Sequence, residues 1–194
     1  MTSLNAVDLF SGGGGLTMGL KMAGFSVKAA VELDTHAAAT FQANHHDTKL
    51  FVQDIRFVKG DDILDLVPGK HLDLLSACPP CQGFTSLTAK YKREDPRNLL
   101  INEMLRLVEE TGPSAIMMEN VPGLASRGNH LLSPVIERLK ELGYYVNYGV
   151  LQVADFGVPQ FRKRFVLLAG KGFSIPLPEG THSKDGRGKP KWRT

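Results

Sequence analysis

Cysteine is scarce in this chain of 194 residues: the only two, Cys78 and Cys81, lie in one Cys-Pro-Pro-Cys segment. So few cysteines exclude a disulfide scaffold and indicate a reducing compartment. The sequence also lacks an apolar run of membrane-spanning length, and no charged-then-apolar signal segment opens it. The sequence therefore predicts a cytoplasmic protein with no membrane association.

A metal site is not expected either. A structural zinc site of the usual kind needs four ligands, and the pair Cys78 and Cys81 has no second cysteine pair to complete it. The six histidines form no spaced cluster, and the adjacent His45 and His46 are a poor substitute. A redox pair stays open as an alternative, although such pairs normally lie at a helix N-terminus and the stretch after Cys81 reads as a loop.

The bulk composition is that of a globular protein with room for one sizeable domain, since 42% of the residues are hydrophobic and 22% are charged. A net charge of +3 permits a nucleic-acid partner but does not establish one. The basic residues concentrate late in the chain, at Arg162, Lys163, Arg164, Lys171, Lys184, Arg187, Lys189, Lys191 and Arg193. A solvated tail and a phosphate-binding stripe explain this concentration equally well.

Short apolar segments alternate with amphipathic ones almost throughout, which is typical of an α/β fold with a doubly wound, mostly parallel sheet. Strands are expected at residues 6–10, 27–31, 50–52, 72–77, 114–118, 144–151 and 165–169. Helices are expected from the glycine turn to residue 22, from residue 35, and at residues 61–67, 98–110 and 131–142. Beyond residue 170 the chain is rich in Gly, Pro and charge without periodicity, so we expect a domain over 1–170 and a linker over 171–194.

The segment that follows the expected strand 72–77 carries the sharpest chemical signal. Pro79 and Pro80 forbid both a helix and a continued strand, so the chain must turn there. Cys81 is therefore placed on a stiff, exposed elbow at the carboxyl edge of the sheet, where open α/β folds place their chemistry. A thiol there is more readily a nucleophile than core filling, whereas Cys78 is expected to be a small buried residue without chemistry.

A glycine turn closes the first strand, in the run Asp8-Leu9-Phe10-Ser11-Gly12-Gly13-Gly14-Gly15. Its glycines allow positive φ and let a ligand lie against bare backbone. Glu32 ends the next strand, where an acid can hold both hydroxyls of a ribose. Asp8 and Asp54 would repel a pyrophosphate and favour a cationic cofactor, so S-adenosylmethionine is preferred over NAD. A flexible turn beside an exposed acid is the plainer alternative.

A thiol, an acid and two arginines can converge on one cleft of such a sheet. A thiolate at Cys81 adds to an electron-poor carbon, and a carboxyl group at Glu119 donates a proton to a ring nitrogen. Arg162 and Arg164 share a face if their segment is extended, and arginines offset developing negative charge. These groups meet the requirements for methylating carbon 5 of cytosine, which is too weakly nucleophilic to attack a methyl donor unaided.

In these segments the chain resembles the C5-cytosine-specific DNA methyltransferases, over residues 7–169 and in the family's order. The matching segments are Asp8–Gly15, Glu32 with Leu33, Asp54-Ile55, Pro79-Pro80-Cys81-Gln82, Arg97-Asn98-Leu99-Leu100, Glu119-Asn120-Val121 and Gln160-Phe161-Arg162-Lys163-Arg164. The resemblance implies a Rossmann-like, S-adenosylmethionine-dependent methyltransferase that extrudes a cytosine from double-stranded DNA. It also implies a role in DNA methylation and restriction-modification.

The resemblance also implies a role for each matching residue. Cys81 would be the nucleophile on an elbow shared with Pro80 and Gln82, Glu119 would act at cytosine N3, and Asn120 would brace the elbow. The residues expected at the cofactor are Asp8, Phe10 (stacked on adenine), Ser11, Gly12, Gly13, Gly14, Gly15, Glu32 (at the ribose), Leu33, Asp54, Ile55 and Leu100. Arg162 and Arg164 would hold the base and the acid, and residues 85–96 would form a lid.

The family's target-recognition region and final segment have no counterpart here, because the chain stops before either. We therefore expect a truncated chain or one subunit of a split methyltransferase, with little activity in isolation. Three alternatives remain: a methyltransferase acting on a structured RNA such as tRNA, a non-catalytic cofactor-binding remnant, and an NAD oxidoreductase. Intact Cys81, Glu119 and Arg164 argue against the remnant.

Overall fold

The computed structural model describes residues 3–80 and 96–193. The expected nucleophile Cys81, its neighbour Gln82 and nearly all of the expected lid lie outside the described residues. The strands are β1 (Asn5–Leu9), β2 (Ser26–Glu32), β3 (Lys49–Val52), β4 (Leu74–Ala77), β5 (Ala115–Asn120), β6 (Tyr144–Gln152) and β7 (Lys163–Lys171). The helices are α1 (Gly15–Met22), α2 (Thr35–Asn44), α3 (Gly60–Leu64), α4 (Leu100–Thr111) and α5 (Asn129–Glu141).

The strands form one seven-stranded sheet in the order β3-β2-β1-β4-β5-β7-β6. The first five strands along the chain pair in parallel, and β7 lies antiparallel between β5 and β6. The order reverses between β1 and β4, which is the switch point where open α/β sheets form a crevice. The prediction of a doubly wound, mostly parallel α/β sheet is confirmed.

The core lies on both faces of this sheet. On one face α3, α4 and α5 bury apolar side chains at helical spacing against β4, β5 and β7, for example Met104, Leu107 and Val108 of α4. On the other face Leu20 of α1 packs with Ala6, Val27 and Leu74 of three neighbouring strands. These layers fix the carboxyl ends of the parallel strands at a common edge.

The expected strand over residues 6–10 is one residue too long, because β1 ends at Leu9. Phe10 adopts a φ of 60°, a left-handed conformation that is uncommon for an aromatic residue. The chain leaves the sheet there and enters the glycine turn. Backbone strain of this kind is found at ligand sites.

The segment expected to be a linker packs against the sheet. Asn147 of β6 donates to the carbonyl of Ile175 at 2.8 Å, and a side chain at Gly149 would meet Leu177. Farther on, Trp192 Nε1 donates to Asp155 Oδ1 at 2.9 Å. Residues beyond 170 therefore have defined contacts, and their role as a connection to a further region stays a prediction.

Candidate active site

The residues singled out in the sequence gather at the carboxyl edge of the sheet. A cavity of about 740 Å³ opens there, within the usual size range of small-molecule sites. Seven of the expected residues line it: Phe10, Glu32, Leu33, Asp54, Ile55, Pro80 and Leu100. The other lining residues are Val31, Asp34, Thr35, Gln53, Arg56, Cys78 and Arg97.

Glu32 ties the glycine turn to the start of α2. Its Oε2 accepts a hydrogen bond from the amide of Gly12 at 2.8 Å, and its Oε1 accepts one from the amide of Asp34 at 2.7 Å. Each carboxylate oxygen has a second lone pair, so the group retains acceptor capacity toward hydroxyls in the cavity. The backbone bonds fix the position of the carboxylate.

The glycine turn is packed against His45 at Gly14 and is open at Gly12 and Gly15. Gly14 has a φ of 91°, and a Cβ there would lie 2.3 Å from His45 Nε2, which is 3.0 Å from the Gly14 carbonyl oxygen. At Gly12 and Gly15 nothing lies within 4 Å of an added Cβ. Ser11 lies between Phe10, which lines the cavity, and Gly12. The buried Oγ of Ser11 has no hydrogen-bond partner within the described structure.

Asp8 lies beneath this turn and does not line the cavity. Its side chain is fully buried, accepts from Thr17 Oγ1 at 2.6 Å and is 3.3 Å from Ser76 Oγ. Burial raises the pKa of Asp8 to about 6, and the two hydroxyl hydrogen bonds oppose that rise. Asp8 thus links β1 to α1 and β4, and its expected part in cofactor binding stays a prediction.

Asp54 forms an ion pair that the sequence did not suggest. Arg56 Nη2 lies 2.6 Å from Asp54 Oδ2, and the Arg56 amide donates to Asp54 Oδ1 at 3.0 Å. The hydrogen bonds from Arg56 hold the pKa of Asp54 below its usual value. Arg56 could have been identified from the sequence as a partner of Asp54, because it directly follows the Asp54-Ile55 pair at the start of a short 3₁₀ helix.

These features fit a nucleoside-containing cofactor. The cavity combines an aromatic ring at Phe10, apolar side chains and fixed carboxylates, and it adjoins a turn with bare backbone and an unpartnered buried hydroxyl. Such a mixture of apolar walls and few fixed polar groups is typical of cofactor sites.

Glu119 and Arg164 meet on neighbouring strands, as an acid and its arginine partner must. Glu119 is near the end of β5, and Arg164 is near the start of the antiparallel β7. Arg164 Nε lies 2.5 Å from Glu119 Oε1. Arg162, by contrast, is exposed just before β7, and its amide donates to Gln152 Oε1. The described contacts therefore bring one of the two arginines to the acid.

Asn120 joins β5 to the proline elbow. It is buried, its Nδ2 donates to the Pro79 carbonyl at 3.0 Å, and its Oδ1 accepts from the Val121 amide at 2.8 Å. This is the contact that a brace for the elbow requires, two residues before Cys81. Because Asn120 follows Glu119 directly, the acid and the elbow have a short mechanical connection.

Cys78, expected to be a small buried residue without chemistry, is partly buried and lies at the cavity wall. Its pKa is raised well above the usual range, first by burial and then by the carboxylates of Glu119 and Asp8. At neutral pH Cys78 is therefore a protonated thiol and a poor nucleophile.

The structure thus places the expected residues in two neighbouring groups. One group surrounds the cavity, and the other consists of Glu119, Asn120 and Arg164 beside the elbow. Cys78 and Pro80 line the cavity and adjoin the second group. Within the described parts of the chain no cluster of three potential metal ligands occurs, and no helix there is long and apolar enough to cross a membrane.

Comparison with known proteins gives a consistent result. The family of C-5 cytosine-specific DNA methylases matches residues 4–186. The chain is 38% identical to the type II methyltransferase M1.HphI of Haemophilus parahaemolyticus, over 94% of this chain and 50% of that protein. It is also 38% identical to the type II methyltransferase M.AquIA of a Picosynechococcus strain, over 91% of this chain and 76% of that one.

A solved structure of an Escherichia coli prophage protein, described as a DNA modification methyltransferase, superposes with a TM-score of 0.78 at 30% identity. The match covers 97% of this chain and 51% of the prophage protein. The chain thus spans about half the length of M1.HphI and of this structure. The matched family covers nearly all of the 194 residues and agrees with the fold. The chain belongs to the C-5 cytosine-specific DNA methylases.

Proposed function

We propose that this chain carries the catalytic and cofactor-binding part, residues 1–170, of an enzyme that methylates carbon 5 of cytosine in double-stranded DNA. The observation that carries the proposal is the pairing of Arg164 with Glu119, next to Asn120, which holds the carbonyl of Pro79. This arrangement supports Glu119 as the proton donor and Arg164 as its cationic partner, next to the elbow that precedes Cys81. The type II methyltransferases among the relatives favour a restriction-modification role in the cytoplasm.

The cavity is assigned to S-adenosylmethionine, which supplies a methyl group on a positively charged sulfur. In this assignment Phe10 contacts the adenine, Glu32 holds the ribose hydroxyls, and Asp54 lies near the adenine amino group. Leu33, Ile55 and Leu100 contribute apolar walls. Ser11 and the turn Gly12–Gly15 offer backbone and hydroxyl donors to the rest of the molecule, and Asp8 supports the turn from below.

The proposed chemistry begins with the thiolate of Cys81, which forms a bond to carbon 6 of an extruded cytosine. Electron density moves into the ring, and Glu119 donates its proton to N3, leaving a carboxylate that Arg164 stabilises. Carbon 5 is then an enamine-like nucleophile that takes the methyl group, while the carbon–sulfur bond of the methyl donor breaks and a neutral thioether would leave. Return of the N3 proton to the Glu119 carboxylate, loss of the proton from carbon 5 to solvent and departure of the Cys81 thiolate from carbon 6 restore the neutral aromatic ring.

The remaining parts of the site serve this sequence of steps. Asn120 and Pro80 hold the elbow, Gln82 follows the nucleophile, and Arg162 provides positive charge near the base. Closure of residues 85–96 over the extruded nucleotide would exclude water. Since the relatives are longer, base reading is assigned to polypeptide outside these 194 residues, in the same chain or in a second subunit.

Trapping with 5-fluorocytosine tests the proposal, because fluorine cannot leave as the carbon-5 proton does. Two forms of the protein are tested: the chain alone, and the chain grafted into M1.HphI in place of the matching half. Each form is incubated with S-adenosylmethionine and a pool of random duplexes that contain 5-fluorocytosine. We expect a covalent adduct that survives denaturation and is lost in Cys81→Ser. The matched control Cys78→Ser should retain it.

The outcomes separate the alternatives. An adduct with RNA and not with duplex DNA would replace the substrate, and an adduct that persists in Cys81→Ser would replace the nucleophile. Absence of an adduct in both arms, with the folded protein verified by circular dichroism, would leave a non-catalytic remnant as the better reading.

A further inference from the structure

A positively charged loop, residues 182–193, lies outside the site and has no part in the proposed chemistry. We call it the basic loop. Five of its side chains are cationic, at Lys184, Arg187, Lys189, Lys191 and Arg193, and Asp185 is its only acid. This segment therefore carries more positive charge than the +3 of the whole chain. The charge asymmetry is what a surface for an anionic partner requires.

The basic loop is closed upon itself and anchored to the domain. The Ser183 amide donates to the Pro190 carbonyl, and the Trp192 amide donates to the Ser183 carbonyl, at 2.9 and 3.0 Å. Trp192 Nε1 bonds the Asp155 carboxylate, and the His182 amide bonds the Asp155 carbonyl at 2.8 Å. These contacts fix the loop, so its charges are held in place rather than distributed over a free tail.

The cations point outward from this anchored framework. All five are exposed. Arg187 lies 3.3 Å from Asp185, a fully solvated pair of little energetic weight, and Lys189 donates to the Gly180 carbonyl with two ammonium protons to spare. Exposed cations on a fixed backbone are better suited to bind a polymer with regularly spaced anionic groups than a single buried anion.

An exposed aromatic residue adjoins the basic loop. The ring of Phe161 packs edge-on against Trp192 at 5.2 Å between centroids and is 79% exposed. Arg162 and Lys163, also exposed, follow it directly. Aromatic side chains among cations are common on surfaces that bind nucleic acid.

The position of the basic loop relates it to the proposed active site. Its anchor Asp155 lies just after β6, and Gln152 at the end of β6 pairs with Lys163 at the start of β7. That end of β7 carries Arg164 and faces the end of β5, where Glu119 lies. The basic loop and the proposed proton donor therefore lie at the same edge of the sheet.

From this geometry we infer that the basic loop binds the sugar–phosphate backbone of duplex DNA flanking the extruded cytosine. The inference rests on the proposed function for the identity of the partner. Lys and Arg side chains neutralise phosphates without reading sequence, and such contacts fix the position of a protein on the duplex. The basic loop thus positions the duplex, while other polypeptide reads the bases.

The salt dependence of binding tests the inference. The triple variant K184Q/R187Q/K191Q is compared with the control K49Q/K70Q/K140Q. The three lysines of the control are exposed and lie in or next to helices and strands outside the basic loop. Both variants lose three positive charges. Binding of a labelled random duplex is followed by fluorescence anisotropy between 50 and 200 mM salt. The slope of log K against log salt should fall by about 0.9 per lost phosphate contact, and so by up to about 2.7 in the triple variant. The control should keep the slope of the unmodified protein.

Each outcome decides the matter. Equal losses in the triple variant and the control would mean a net-charge effect and overturn the inference, as would an unchanged slope in the triple variant with unaltered thermal unfolding. A larger loss with an RNA hairpin or an acidic protein than with duplex DNA would also overturn it. The single variant K184Q, expected to lower the slope by about 0.9, keeps the test decisive if the triple variant folds poorly. A protein that forms the fluorocytosine adduct but keeps its slope would refute this inference alone.

Discussion

We expect the variant Asp8→Asn to be more stable than the unmodified protein at neutral pH, because the carboxyl group of Asp8 is fully buried. In the variant Asp8→Asn, the amide oxygen can accept the hydrogen bond that Thr17 gives to Asp8. The amide nitrogen can donate to Ser76 Oγ, which itself donates to the Val7 carbonyl at 2.8 Å. All partners remain satisfied, and no charge is buried.

The size of the effect follows from the pKa of Asp8. Burial raises it from 3.8 to about 6 in the folded state, so the folded protein binds this proton more tightly than the unfolded chain does. The stability that this provides is complete below pH 3.8 and is lost as the pH rises through 6. At pH 7 and above, the ionised carboxylate costs about 3 kcal/mol relative to acid pH, at about 1.4 kcal/mol per pKa unit. Asp8→Asn should escape that loss.

Urea unfolding of both proteins at a series of pH values from 4.5 to 8 measures the difference. The free energy of unfolding of Asp8→Asn minus that of the unmodified protein should rise through this range and level off above pH 7. Asp47→Asn is the control: Asp47 is exposed and Lys21 holds its pKa below the usual value, so its stabilising contribution is present above pH 3.8 and the difference for this variant should stay nearly flat from pH 4.5 to 8. A difference for Asp8→Asn that stays flat with pH, or that falls, would refute the reasoning.

Two further predictions concern the turn and the ion pair. Gly14→Ala and Gly24→Ala both place alanine at a φ of 91°, but only at Gly14 would the Cβ lie 2.3 Å from a histidine nitrogen. Urea midpoints should show a loss of about 1 kcal/mol for Gly24→Ala and about 1–3 kcal/mol more for Gly14→Ala, whereas equal losses would contradict the steric argument. Arg164→Lys removes the Nε contact with Glu119 and should slow fluorocytosine adduct formation by about 100-fold, while Arg162→Lys should have a much smaller effect. Similar rates for the two variants would show that the pair has no role in proton donation.

The amino-acid sequence was sufficient to predict those parts of the fold and of the candidate site that depend on a local sequence pattern. Alternation of short apolar segments with helices predicts the sheet, and the polar residues that follow each segment lie at its carboxyl edge. The family resemblance implies that Arg162 and Arg164 hold the base and Glu119, and of these two arginines Arg164 lies 2.5 Å from Glu119. Local patterns of this kind depend on periodicity and on turn residues, and both can be read directly from the amino-acid sequence.

Contacts between distant residues could not be predicted in the same way. Asp8 looks like a strand-end acid open to ligand, but Thr17 and Ser76 enclose it. Residues beyond 170 have no periodicity, yet Trp192 reaches Asp155, 37 residues earlier. No local propensity signals such a tertiary hydrogen bond.

The glycine turn shows how one sequence motif combines structural and ligand-binding requirements. Gly14 must be glycine for reasons internal to the protein, because its φ is positive and His45 occupies the space of a side chain. Gly12 and Gly15 have open space where a side chain would be, and the Gly12 amide is held by Glu32. Packing and a positive φ therefore account for Gly14 and a positive φ of 55° accounts for Gly12, while the open space at Gly12 and Gly15 leaves room for the proposed ligand. A run of four glycines predicts the turn, but only the surrounding side chains reveal at which of them packing requires glycine.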